Sequence, residues 1–191
     1  MNRLLLLTGL GLLLGCQSTG TTGLTSSRLA LDETARLPPS KSPVNAGSAS
    51  GSLTDSQRQQ LAYHNRVRAD VGAPPLTWSV AAESQAQHWA GELARRCDIE
   101  HSRGSGFGEN LFMGTLGFYD ELDGIKAWEE EKRDYAGQPL SRSLAPRVGH
   151  YTQMVWPTTR VLGCATSVCN NNMILVCNYY PPGNYLGEPA Y

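Results

Sequence analysis

The sequence predicts an α+β domain, with helices first and an antiparallel hairpin at the C-terminal end. Two observations carry that prediction. Apolar residues recur at helical spacing in the stretches before residue 136. Residues 161–169 and 173–180 are β-rich runs separated by Asn170-Asn171-Asn172, a composition tolerant of positive φ. Helices that precede the strands, instead of alternating with them, point to a layered α+β domain and not to a parallel sheet.

The chain opens with Met1-Asn2-Arg3 and an apolar run over residues 4–14, too short to span a bilayer but proportioned like the core of a signal peptide. Leu13-Leu14-Gly15-Cys16 then resembles the bacterial lipobox, in which cleavage before the cysteine accompanies lipidation of its thiol. An ordinary secretory signal that happens to end near a cysteine is the alternative. The expected mature chain starts at Cys16, lipid-anchored to the cell envelope, and Gln17 after it resembles lipoproteins sorted to an outer membrane. Of residues 17–52, 20 are Ser, Thr, Gly or Pro and none is aromatic, which reads as a flexible tether. The expected organisation is therefore a leader over residues 1–15, a lipidated spacer over 16–52 and one domain over 53–191.

Within that domain Thr54-Asp55-Ser56-Gln57 has capping-box spacing and opens a helix expected to reach Gly72, before Pro74-Pro75. Ser79 caps a second helix, on which Ala82, Ala86, Trp89, Ala90 and Leu93 share a face. A third is expected from about Asp120 to Tyr135, with Ile125, Trp128, Lys132 and Tyr135 along its buried stripe. With 16 basic against 17 acidic side chains, the chain lacks the basic footprint of a phosphate-binding nucleic-acid partner.

Besides Cys16 the cysteines are Cys97, Cys164, Cys169 and Cys177, which in an exported chain are expected to form two disulfides. Three connectivities are open. Cys169 and Cys177 flank the hairpin turn and could meet across it, leaving Cys97 with Cys164. No Cys-x-x-Cys spacing supports a structural zinc site instead.

Of four histidines, His64 sits at the inward edge of the first helix and reads as structural, and His88 precedes Trp89 as a surface or satisfied residue. His101 precedes a flexible Arg103-Gly104-Ser105-Gly106 segment, and His150 heads an aromatic-rich turn after Gly149. Glycine-framed histidines can reach a cleft. In the run Glu129-Glu130-Glu131, helical periodicity turns Glu131 toward the buried stripe and Glu130 away.

Two blocks, Gly149-His150-Tyr151-Thr152-Gln153-Met154-Val155-Trp156 and Cys177-Asn178-Tyr179-Tyr180-Pro181-Pro182-Gly183-Asn184-Tyr185, resemble the signatures of the CAP superfamily of cysteine-rich secretory, antigen 5 and pathogenesis-related class 1 proteins. His64-Asn65 with Arg68, Pro75 to Trp78, Cys97 to Ser102, Gly108-Glu109-Asn110 and Trp128 to Glu131 extend the resemblance through the domain, which is most similar to the plant class 1 proteins. It lacks the third cysteine pair those proteins carry before the His150 block.

The resemblance implies a three-layer α-β-α sandwich with a cleft lined by His101, Glu109, Glu131 and His150, where His101 and His150 can hold zinc or another divalent cation weakly. It also implies the pairs Cys97–Cys164 and Cys169–Cys177. It further implies a monomer that binds a sterol, lipid or other small hydrophobic ligand outside the cell. A metal-dependent peptidase or esterase, with Glu109 or Glu131 as acid or base, is the alternative. No His-Glu-x-x-His motif is present, and no Gly-x-Ser-x-Gly elbow makes Ser102 or Ser105 a nucleophile.

Overall fold

A computed structural model describes residues 52–191. The leader, Cys16 and all but the last residue of the spacer lie outside the described residues. Helix α1, Asp55–Asp70, starts where expected: the Thr54 hydroxyl accepts the Gln57 amide, and the Gln57 side chain accepts the Thr54 N–H. Strand β1, Thr77–Trp78, is followed at once by α2, Val80–Arg96, capped by the Ser79 hydroxyl and buried along Ala82, Ala86, Ala90 and Leu93. Then come β2 (Gly108–Thr115), α3 (Glu121–Glu130), a 3-10 turn (Glu131–Asp134), α4 (Ala145–Val155), β3 (Val161–Cys169) and β4 (Asn172–Tyr180).

The four strands lie in the order β1-β3-β4-β2, with β1 parallel to β3 and the other pairs antiparallel. Because side chains alternate across a strand, β4 serves both faces. Ile174 and Val176 pack against the Ala86–Ala90–Leu93 face of α2, while Leu175, Cys177 and Tyr179 join Val67 of α1, Ile125 and Trp128 of α3, and Val148, Met154 and Val155 of α4. The result is the expected α-β-α sandwich. Gly163 permits the close seat of α2, since a Cβ there would collide with the Glu83 backbone nitrogen.

Four expectations are corrected. The disulfides are Cys97–Cys169 and Cys164–Cys177, not Cys97–Cys164 and Cys169–Cys177. The hairpin register explains this: it places Cys164 directly opposite Cys177 and Cys169 opposite Asn172 across the two-residue turn Asn170-Asn171, whose φ angles are +43° and +62°. Cys169 is thus five residues, about 17 Å, along the sheet from the partner of Cys177. It also faces α2, whereas Cys177 faces the opposite layer. Second, the helices do not all precede the strands: Thr77–Trp78 and Gly108–Thr115 are strands lying between them. Third, His150 sits on a helix, not in a turn. Fourth, the third helix gives way to a 3-10 turn at Glu131, which leaves Lys132 exposed while Ile125, Trp128 and Tyr135 are buried.

The buried Arg68 donates to the carbonyls of Pro74, Met154, Trp156 and Thr159, tying α1 to the segment that links α4 to β3. Burial away from any carboxylate lowers its pKa to about 10. Among the described residues no helix is long and apolar enough to cross a membrane.

Candidate functional site

The 3-10 turn that follows α3 presents Glu131 to α4. One oxygen of Glu131 lies 2.6 Å from His150 Nδ1; the other accepts the backbone N–H groups of His150 at 2.9 Å and Tyr151 at 3.1 Å. The indole of Trp128 stacks on the His150 ring at 6.0 Å between centroids. The acidic run is less solvated than periodicity indicates: Glu129 is its buried member, while Glu131 is partly exposed. Glu129 accepts hydrogen bonds from Tyr63, Arg66 and Lys132. Burial pushes the Glu129 pKa up, but those donors override it and hold it down to about 2. Their carboxylate in turn helps burial push the Tyr63 phenol up to about 12.

His101 follows α2 and is held from the start of β2. Its Nδ1 lies 2.9 Å from Glu109 Oε1, which also accepts the Ser102 N–H at 2.9 Å, while Glu109 Oε2 accepts the Ser102 hydroxyl at 2.7 Å. The Glu109 side chain is 5% exposed and His101 is 62% exposed, so the acid is fixed and its histidine faces outward.

Both rings obey one rule. A carboxylate only accepts, so each Nδ1 carries the hydrogen and each ring turns its Nε2 away from its acid. His101, His150, Glu109, Asn110, Ala145, Pro146, Gly149 and Asn184 line one cavity of about 310 Å³. The sequence-predicted residues therefore come together, with Glu131 just behind the wall, holding His150. His64 is structural as expected: fully buried, with Nδ1 on the Gln60 carbonyl and Nε2 on the Tyr179 hydroxyl, both at 2.8 Å. Burial lowers its pKa to about 4.

An imidazole that donates through Nδ1 to a carboxylate is oriented to ligate through Nε2, which is how proteins commonly prepare histidine for zinc. The donor set fits a divalent ion on His101 and His150. Among the described residues no third His, Cys, Asp or Glu completes a cluster, so water or a ligand would fill the remaining positions. Such an ion would supply Lewis acidity and an anchoring point for oxygen donors.

Sequence reasoning missed three residues of the site. Ser102 positions Glu109. Asn184, at φ +61°, accepts the Thr152 hydroxyl and donates to the Gly149 carbonyl on the His150 turn of α4. Asn110 donates to the His150 carbonyl at 3.0 Å. Asn110 and Asn184 lie inside recognised sequence blocks, where their amides were the available signal.

The model of the cysteine-rich secretory protein family (CAP) matches residues 61–179. Pathogenesis-related protein 1A of Nicotiana tabacum is 42% identical over 72% of this chain and 82% of its own length, and pathogenesis-related protein PRMS of Zea mays is 38% identical over 72% and 83%. Among solved structures, NaASP2 with Zn2+ aligns with a TM-score of 0.63 at 29% identity, covering 78% of this chain and 88% of that one. The Schistosoma mansoni venom allergen-like protein 4 aligns with a TM-score of 0.54 at 27% identity, over 72% and 98%.

Proposed function

Because this chain belongs to the cysteine-rich secretory protein family, we propose that it is an exported binding module whose cleft holds a divalent cation on His101 and His150, without catalysing a reaction of its own. One observation carries the reading: both imidazoles are pinned through Nδ1 by a carboxylate and share one cavity through their other faces. The structure of NaASP2 with Zn2+ adds support by likeness. Export is supported by the two disulfides and the secretory family. Lipidation of Cys16 would then hold the domain at a membrane surface by its tether.

The hydrolase alternative asks Glu109 or Glu131 to move a proton. Each already accepts three hydrogen bonds, one of them from its histidine ring, so both oxygens of each acid are engaged in holding the cleft. The cleft offers a sterol or lipid no continuous apolar wall, since His101, Glu109, Asn110, His150 and Asn184 interrupt it. The exposed Leu116, Phe118 and Tyr119 between β2 and α3 are the better place for an apolar ligand.

The test is zinc titration by calorimetry on the wild type and on His101→Ala/His150→Ala, with lipid-ester and peptide hydrolysis and sterol binding measured on both. Zinc binding lost in the double variant, with no turnover and unchanged sterol binding, is expected. Zinc-dependent turnover that disappears with the histidines would sink the binding-module reading.

A further inference from the structure

Asn110 lies on β2 beside Glu109 but faces the other side of the strand. Its side chain is almost wholly buried, at 1% exposure, and it lines the cleft. Both amide hydrogens are used: Nδ2 donates to the His150 carbonyl at 3.0 Å and to the Tyr179 hydroxyl at 3.2 Å. A carbonyl cannot donate, so the amide cannot be turned over.

The direction of the second bond is set from the far side of the core. The Gln60 carbonyl can only accept, so His64 Nδ1 carries the hydrogen and Nε2 accepts. The Tyr179 hydroxyl must therefore give its proton to His64 and receive one from Asn110. Burial keeps His64 neutral at ordinary pH, so the sense of this chain is stable. The consequence falls on Asn110 Oδ1, which accepts no hydrogen bond among the described residues and is left to the cleft. An amide oxygen held in this way without a partner calls for one. The Nε2 sides of His101 and His150, turned away from their acids, share the same cavity. Asn110 Oδ1 can only accept, and an acceptor beside two imidazoles is complemented by a cation together with the water it carries.

Resting on the metal-binding reading above, we infer that Asn110 is a third recognition group of the cleft: its Oδ1 takes up the cation through a coordinated water, and so sets the site's affinity and hydration. The His150 carbonyl fixes which atom of Asn110 faces the ion, and the Tyr179 hydroxyl only takes up the amide's second hydrogen.

The experiment compares wild type, Asn110→Leu, Asn110→Asp and Tyr179→Phe by zinc calorimetry and by the visible absorption of bound Co2+, which responds to the ion's surroundings. Thermal melts establish that each variant is folded. Asn110→Leu is expected to weaken zinc binding about five- to tenfold and to shift the Co2+ bands, in keeping with one lost hydrogen bond. Asn110→Asp keeps an acceptor, retains at least wild-type affinity, and carries the test if Asn110→Leu does not fold. Tyr179→Phe leaves Asn110 on the His150 carbonyl and stays within about twofold of wild type. Equal affinities and spectra in wild type and Asn110→Leu overturn the inference. So does weakening of Asn110→Leu and Tyr179→Phe to the same degree, or of Asn110→Asp as much as Asn110→Leu, because both patterns indicate packing. Wild type that binds no zinc overturns the metal-binding reading itself, and this inference with it.

Discussion

Acid should weaken this domain through His64, and the size and window of the effect can be worked out. His64 is fully buried between the Gln60 carbonyl and the Tyr179 hydroxyl, and burial lowers its pKa from the ordinary 6.5 to about 4. The unfolded chain therefore binds a proton that the folded chain refuses, and stability rises with pH across that interval. Going downward, the loss relative to pH 7.5 reaches about 1.4 kcal/mol at pH 5.5 and about 2.5 kcal/mol at pH 4.5. Urea unfolding of the oxidised protein at several pH values measures it, with His64→Gln as the reference. Gln can donate to Gln60 and accept from Tyr179 but does not titrate. The other titrating groups, including Glu129, cancel in the difference between the two proteins. The stability advantage of wild type should shrink by about 2.5 kcal/mol between pH 7.5 and 4.5. Parallel curves would show that His64 ionises equally well in the folded state and would refute the argument.

Two further outcomes follow from the packing. Removing the Cys97–Cys169 bridge, which spans 72 residues, should cost about 4 kcal/mol, and removing Cys164–Cys177, which spans 13, about 3 kcal/mol in the chain-entropy model; non-reducing peptide mapping should recover those two linkages and no Cys97–Cys164 peptide. Gly163→Ala drives a methyl into the α2 backbone at Glu83, and chemical denaturation should show a loss of about 2 kcal/mol or more.

Much of this was legible because the signals were local. The Thr54 capping box, the Ser79 cap, the small-residue face of α2 and the Asn-rich turn each depend on a few adjacent residues, and each is present. His101, Glu109, Glu131 and His150 came from the family resemblance, with helical periodicity singling out Glu131. Strand β2 was hidden because Gly108-Glu109-Asn110 and Gly114 interrupt its apolar pattern, although its alternate faces pack on two different layers. Helix α4 was hidden by Pro146, Gly149, Thr152 and Val155, poor helix formers whose cost is offset by burial of Val148, Tyr151, Met154 and Val155. The disulfide pairing depended on register and on which face each cysteine takes. A hairpin turn placed by composition leaves both undetermined.

The way each acid is held has a consequence for how the cleft can change. Glu109 draws its hydrogen bonds from His101 and the adjoining Ser102, and Glu131 draws its own from His150 and the adjoining Tyr151. Each acid–imidazole couple is closed on itself, and no hydrogen bond joins one acid to the other histidine. The cleft is thus assembled from two half-sites, one at the edge of the sheet and one between two helices. Asn110 ties the two together by donating from β2 to the His150 carbonyl, but altering one acid–imidazole couple leaves the hydrogen bonds within the other in place. Removing one histidine should therefore change two-point capture of a ligand into one-point capture.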